Sequence, residues 1–151
     1  MSPPLVVIDA SVVLALYLPD SPENLIYAAE VRKARADNRI VALVPDFWAA
    51  EVAYRLVKSA RWKPSPLTAT LTEAASFLDH FPQTVHVTPR AVGQIISLAA
   101  RYNLQGWDAL YFDAAVRNRA PLATLDGGLK TACRNFGVTL WQAGEGEVVM
   151  A

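Results

Sequence analysis

Cysteine is almost absent. Cys133 stands alone, so an internal disulfide and a cysteine-based zinc site are both excluded, and a reducing, cytoplasmic compartment is the expectation. Histidine is nearly as scarce. His80 and His86 are the only two, and they lack the H-x-x-x-H spacing of a histidine metal site. No Gly-x-Ser-x-Gly elbow is present for a serine hydrolase. Gly127-Gly128 lacks the Gly-Lys-Ser/Thr element of a phosphate-binding loop. No long apolar run exists either: Ala10 to Leu18 stops at Pro19, well short of the roughly 20 residues of a membrane span. Met1-Ser2-Pro3-Pro4 has no basic residue ahead of the apolar stretch, so no export signal is expected.

Excess charge of either sign is also missing. Fourteen bases balance fourteen acids in 151 residues, of which 53% are hydrophobic and 19% charged. That composition excludes wholesale disorder and gives one ordinary domain, expected to span 1–151. It also argues against coating nucleic acid by bulk electrostatics. The balance is nevertheless segregated. Residues 1–31 hold four acids and no base, residues 32–63 hold eight bases against three acids, and residues 90–134 hold six bases against three acids.

No internal repeat or linker breaks the chain. Leu5–Ile8 and Ile40–Val44 read as buried strands, with shorter ones at Val85–Val87, Leu122–Leu125 and Val138–Leu140. Helices are expected over Val12–Leu18, from Ser21-Pro22-Glu23 onward, over Asp46–Arg61, from Leu67 to Leu78, after Pro89, over Gly106–Arg119 and over about Gly128–Asn135. Pro64-Ser65-Pro66 separates two of them. The expected inward faces are Leu25, Ile26, Ala29 and Val31; Trp48, Ala49, Val52 and Leu56; Leu67, Leu71, Ala74, Ala75 and Leu78; and Val92, Ile95, Ile96 and Ala99. Strands alternating with helices give an α/β fold with a mostly parallel sheet of four to five strands covered on both faces. In such sheets ligands bind beyond the carboxyl ends of the strands.

Carboxylates stand at those ends. Asp9 follows the first strand and Asp126 the fourth, while Glu51 and Asp108 lie on helices among apolar neighbours, where a charge needs a reason. Each has an ordinary structural reading. Asp9 and Ser11 suit a helix cap, Glu51 suits a pair with Arg55, Asp108 suits a helix N-terminus, and Asp126 suits a cap or turn before Gly127. If the four converge they repel one another unless cations are present. Oxygen-only ligands favour Mg²⁺ or Mn²⁺. Asp113 falls about 140° around the helix from Asp108 and is read as a surface or supporting residue, and Asp46 as the N-cap of the helix that carries Glu51. A phosphoaspartate design would also place an acid after the first strand, but not the late acidic pair.

Val7-Ile8-Asp9-Ala10-Ser11, then Glu51, then Trp107-Asp108-Ala109-Leu110-Tyr111, then Leu122-Ala123-Thr124-Leu125-Asp126 together resemble the PIN domain, and within it the VapC-type toxins of bacteria and archaea. The resemblance runs from Leu5 to about Leu140. It implies a PIN-like three-layer α/β/α fold and a metal-dependent endoribonuclease. Asp9, Glu51, Asp108 and Asp126 stand where the family carries its acidic, metal-binding quartet, and Ser11 and Thr124 where it has supporting hydroxyls. Members often carry Asn three residues after the helical Glu; here that position is Tyr54.

The resemblance further implies an RNA substrate, a cognate antitoxin protein, a homodimer and inhibition of translation. A housekeeping PIN nuclease in RNA processing and a catalytically silent binding module remain alternatives. Leu14, Leu16, Tyr17, Leu25, Ile26 and Tyr27 are either an antitoxin groove or core. Arg117, Arg119, Lys130 and Arg134 are candidates for phosphate contact, whereas Arg32, Lys33, Arg35, Arg39, Arg55, Lys58, Arg61 and Lys63 also fit solvated helix ends.

Overall fold

The structure is a computed structural model that describes residues 2–62 and 67–144, without the side chains of 60–62 and 67–70. The Pro64-Ser65-Pro66 break and Lys63 lie outside the described residues, as do the side chains of Arg61 and Leu67.

Four short strands form the centre. They are β1 (Leu5–Ile8), β2 (Val41–Pro45), β3 (Thr84–His86) and β4 (Leu122–Ala123), in the order β3-β2-β1-β4 and all parallel. Val6, Val7 and Ile8 are wholly buried, as expected of an apolar, β-branched run at the middle of a parallel sheet. Val138–Leu140 makes only a single parallel bridge, Leu122 to Leu140, instead of a fifth strand. β4 is shorter than its apolar run because Thr124 turns out of the ladder to bond side chains at the sheet's carboxyl edge.

The helices are α1 (Ala10–Leu14), α2 (Pro22–Ala36), α3 (Trp48–Trp62), α4 (Leu67–His80), α5 (Val92–Tyr102), α6 (Gly106–Asn118) and α7 (Gly127–Phe136). The chain steps from β1 through β2 to β3, then returns past β1 to β4. Right-handed crossovers therefore put α1–α4 on one face and α5–α7 on the other. The helix starts are built locally. Ser21 Oγ accepts the Asn24 N–H at 3.2 Å with Pro22 in the first turn, and Asp126 accepts the Leu129 N–H at 2.9 Å to start α7. Gly137 closes α7 in the left-handed conformation, φ 76°, which a residue without Cβ adopts freely. Arg35 ties α2 to the end of α4 by donating to the carbonyls of Phe81 and His80 at 3.0 and 2.6 Å.

Several expected inward faces are different. On α2 the buried stripe is Ala28, Val31 and Ala34, while Leu25, Ile26 and Ala29 are exposed. The small residues line the sheet side, so the bulkier ones point out. On α5 Leu98 is buried and Val92 and Ile96 face solvent. Ala49 and Ala75 are exposed beside buried Trp48, Val52, Leu56, Ala74 and Leu78. Of the expected groove, Leu14 is core, Leu16, Tyr17 and Tyr27 pack partly against it, and only Leu25 and Ile26 stand out. Asp46 does not cap α3. Its carboxylate accepts the Thr88 hydroxyl at 2.7 Å and the Thr88 N–H at 3.3 Å, fastening the loop after β3 to the end of β2. Asp113 is buried, not on the surface, and binds Arg117 at 2.8 Å.

Candidate active site

The site grows from the junction of β1 and β4. Asp9 occupies the N-cap position of α1, but its side chain makes no capping bond. Instead its Oδ2 accepts two hydroxyls, Ser11 Oγ at 2.6 Å and Thr124 Oγ1 at 2.8 Å. Each hydroxyl in turn accepts a backbone N–H from the β4–α7 turn. Leu125 donates to Ser11 at 3.1 Å and Asp126 donates to Thr124 at 3.0 Å. A serine and a threonine are suited to this because one hydroxyl both donates and accepts. The pair welds the turn that carries Asp126 to the aspartate that ends β1. Asp9 is 5% exposed. Burial raises its pKa and Asp126 adds to that, while the Ser11 and Thr124 hydroxyls work the other way.

Glu51, in the first turn of α3, is held from the opposite side of the sheet. Tyr111 on α6 donates its hydroxyl to Glu51 Oε2 at 2.5 Å and accepts the Ala10 N–H at 3.3 Å. The ring is fully buried and packs edge-on against Phe47, centroids 5.2 Å apart. Tyr111 thus links α6, α3 and the start of α1 through one oxygen. Glu51 forms no ion pair with Arg55 among the described residues. Burial raises its pKa most, the Tyr111 bond opposes this, Asp9 adds to it and Arg55 offsets it slightly. Burial, with Asp9 and Glu51 close by, keeps the Tyr111 phenol protonated. Tyr111→Phe is expected to cost about 1–3 kcal/mol, because the Ala10 N–H and Glu51 lose their shared partner. Urea unfolding of the two proteins checks this, and equal midpoints count against the link.

Asp108 lies in the first turn of α6, half-buried. Among the described residues it has no hydrogen-bond donor or cation. Its carboxyl is pushed up to about 6, first by burial and then by Asp126, Asp9 and Glu51. Asp126 serves two purposes. Its Oδ2 caps α7, and its charge acts on Asp9 and Asp108. A Cβ at Gly128 would lie 3.1 Å from that same Oδ2, so glycine gives the capping carboxylate its room.

The four acids singled out in the sequence, with Ser11 and Thr124, are therefore brought to one edge of the sheet. Residues the sequence reading passed over are Tyr111, which reads as core from a single strand of text, and Gly128. The histidines lie elsewhere in function: His80 bonds the Ser76 carbonyl at 3.0 Å, and His86 meets Asn118 at 3.1 Å.

Among the described residues no three Asp, Glu, His or Cys side chains form a ready-made metal cage. The donor chemistry still fits a divalent cation. Neighbouring acids raise Asp9, Glu51 and Asp108, and among the described residues Arg55 is the one cation that offsets any of these shifts, that of Glu51. A hard cation with oxygen ligands would be the natural counter-charge, and Asp9 and Asp108 would hold it centrally.

A family model described as PIN domain matches residues 6–135, and the chain belongs to this family, whose members are in general nucleases. Among solved structures the chain resembles PAE2754 from Pyrobaculum aerophilum, with a TM-score of 0.62 and 22% identity over 84% of this chain and 78% of that one. It also resembles VapBC2 from Rickettsia felis bound to a DNA fragment from their promoter, with a TM-score of 0.59 and 12% identity over 91% of this chain and 99% of that one. At these identities the likeness is one of fold. No curated protein sequence matches the chain.

Proposed function

We propose that this chain is a Mg²⁺-dependent endoribonuclease, with Mn²⁺ as a working substitute, that hydrolyses RNA phosphodiesters as the toxin of a toxin–antitoxin pair and so inhibits translation. The observation that carries the reading is Asp108, a half-buried carboxylate that among the described residues has no donor or cation of its own and is acted on by three further acids. Asp9 and Asp108 are the central metal ligands, and Glu51 and Asp126 complete the set. The bound ion supplies charge neutralisation of the phosphate and activation of the attacking water. The protein's own groups hold that arrangement: Ser11 and Thr124 fix Asp9, Tyr111 fixes Glu51, and the α7 cap fixes Asp126. No side-chain nucleophile is needed.

The toxin role draws on the structural likeness to a VapBC complex and the family membership. The partner is a cognate antitoxin protein, the enzyme is a homodimer of single 1–151 domains, and the compartment is the cytoplasm. Among the described residues no helix is long and apolar enough to cross a membrane. Expression of the chain is expected to arrest growth and co-expression of the antitoxin to relieve the arrest, with sequencing of RNA ends after induction to map the cut. Harmless expression of an active enzyme turns the reading toward RNA processing.

RNA contact has a physical basis beside the acids. Trp107 precedes Asp108 and is 60% exposed, its ring 4.8 Å from that of Phe47 behind it. An exposed tryptophan backed by a second ring offers a face on which a base can stack. Trp107→Ala is expected to weaken single-stranded RNA binding by about 1–3 kcal/mol. Fluorescence anisotropy with a labelled oligonucleotide measures the loss, and unchanged affinity removes Trp107 from the contact surface.

A further inference from the structure

We propose that the cleft between the start of α2 and the β4–α7 turn is a nucleobase subsite that selects guanine in the nucleotide beside the scissile bond. The proposal rests on the ribonuclease reading and adds the ligand of its flank. The cleft measures about 280 Å³, ample for one planar base, and is bounded by Glu23 and Tyr27 from α2, by Thr124 and Leu125 after β4, by Lys130 from α7, and by Gln142.

Its position comes first. Thr124 is common to the cleft and to the carboxylates, since its hydroxyl holds Asp9 at 2.8 Å. A nucleotide seated here lies beside the residue that holds Asp9. Among the described residues the side chains of Glu23, Lys130 and Gln142 have no hydrogen-bond or ion-pair partner. Their neighbours are committed: Asn24 donates to Asp20 at 2.7 Å, and Tyr27 donates to the Trp141 carbonyl at 2.7 Å. An acceptor pair, a cation and an amide thus stand unengaged around one recess. The elements that carry Glu23 and Lys130 are both fixed by side-chain caps.

These groups match a nucleotide. Lys130 meets the phosphate as a point charge. The Glu23 carboxylate accepts from base N–H groups, and guanine presents two such donors side by side, N1–H and N2–H, on its Watson–Crick edge. Uracil offers one donor flanked by two carbonyl oxygens, which the carboxylate repels. Reading of an unpaired base on that edge is the usual route to RNA sequence preference.

Binding is measured apart from cleavage. The native protein, free of divalent metal, is titrated with guanosine, adenosine, cytidine and uridine 5′-monophosphates and followed by amide NMR. Guanosine monophosphate is expected to shift the Leu125 and Lys130 signals and to bind about tenfold more tightly than uridine monophosphate. Glu23→Gln is expected to erase that preference, and Lys130→Ala to weaken all four nucleotides alike. Shifts confined to other surfaces, or equal binding of the four that ignores Glu23→Gln, overturn the subsite. Guanosine binding in a protein that cuts no RNA leaves the subsite standing and removes the ribonuclease reading. RNA cleavage with no nucleotide bound in the cleft does the reverse.

Discussion

Asp9→Asn is expected to lower metal-dependent RNA cleavage by about 10³-fold or more while leaving the melting temperature equal or higher. The activity loss follows from charge. A divalent ion contributes several kcal/mol to a phosphoryl transition state, about tenfold in rate for each 1.4 kcal/mol, and Asp9 is the acid most firmly placed to hold it. The stability follows from shape and repulsion. Asparagine has the same outline, and its carbonyl oxygen still accepts the Ser11 and Thr124 hydroxyls that bond Asp9 at 2.6 and 2.8 Å. The substitution also removes a buried charge that raises the ionisation cost of Glu51 and Asp108. Asp108→Asn is expected to behave alike. Single-turnover cleavage and thermal melts on the same preparations decide the matter. Activity within tenfold of the native protein, or activity that persists in chelator, would falsify the metal assignment.

Divalent metal is expected to raise the melting temperature by about 5–10 °C at neutral pH and by little near pH 5. The apo protein supplies the reason. The Asp108 carboxyl rises from 3.8 to about 6 on folding. Between those values the folded state holds a proton that the unfolded chain has released. Stability of the metal-free protein therefore falls as pH climbs through that window, and the loss is complete above it. Asp9 and Glu51, both raised, act in the same direction. An ion bound at a hundredfold over its dissociation constant restores about 2.7 kcal/mol, which for a chain of this length is several degrees. At lower pH protons occupy the same oxygens, so the metal gains less. Melts across this range with and without saturating Mn²⁺ test both halves, with Asp108→Asn as the control that lessens the apo slope. A metal-free melting temperature that rises from pH 4 to 6 contradicts the placement of Asp108.

Much of this was legible in the text of the chain because strand ends announce themselves. Leu5–Ile8 and Leu122–Ala123 are apolar runs that stop near an acid, and parallel sheets bind ligands where such runs stop. Glu51 and Asp108 stood out as charges among apolar residues. The partners that hold them did not. Tyr111 sits three residues past Asp108 in a buried helix and looks like any core aromatic; only the packing of α6 against β1 and β2 brings its hydroxyl to Glu51 and to the Ala10 N–H at the sheet's carboxyl edge. Helix faces are the least legible feature of the sequence. The inward stripe of α2 is Ala28, Val31 and Ala34, too small to outweigh Leu25 and Ile26 on a hydropathy scale. Asp46 looked like a cap by residue type, but Thr88, forty-two positions away, had the better claim on it.

The strand order has a consequence for how the protein is made. β1 lies between β2 and β4, and synthesis runs from the N-terminus. Asp9 and Glu51 emerge early, whereas Asp108 and Asp126 emerge late, and the free edge of β1 waits for Leu122 and Ala123. Until then the Asp9 carboxylate lacks the Thr124 hydroxyl and the charge of Asp126. A nascent chain on the ribosome thus carries an unfinished site, and the carboxylates come together only once the β4–α7 turn has closed onto β1.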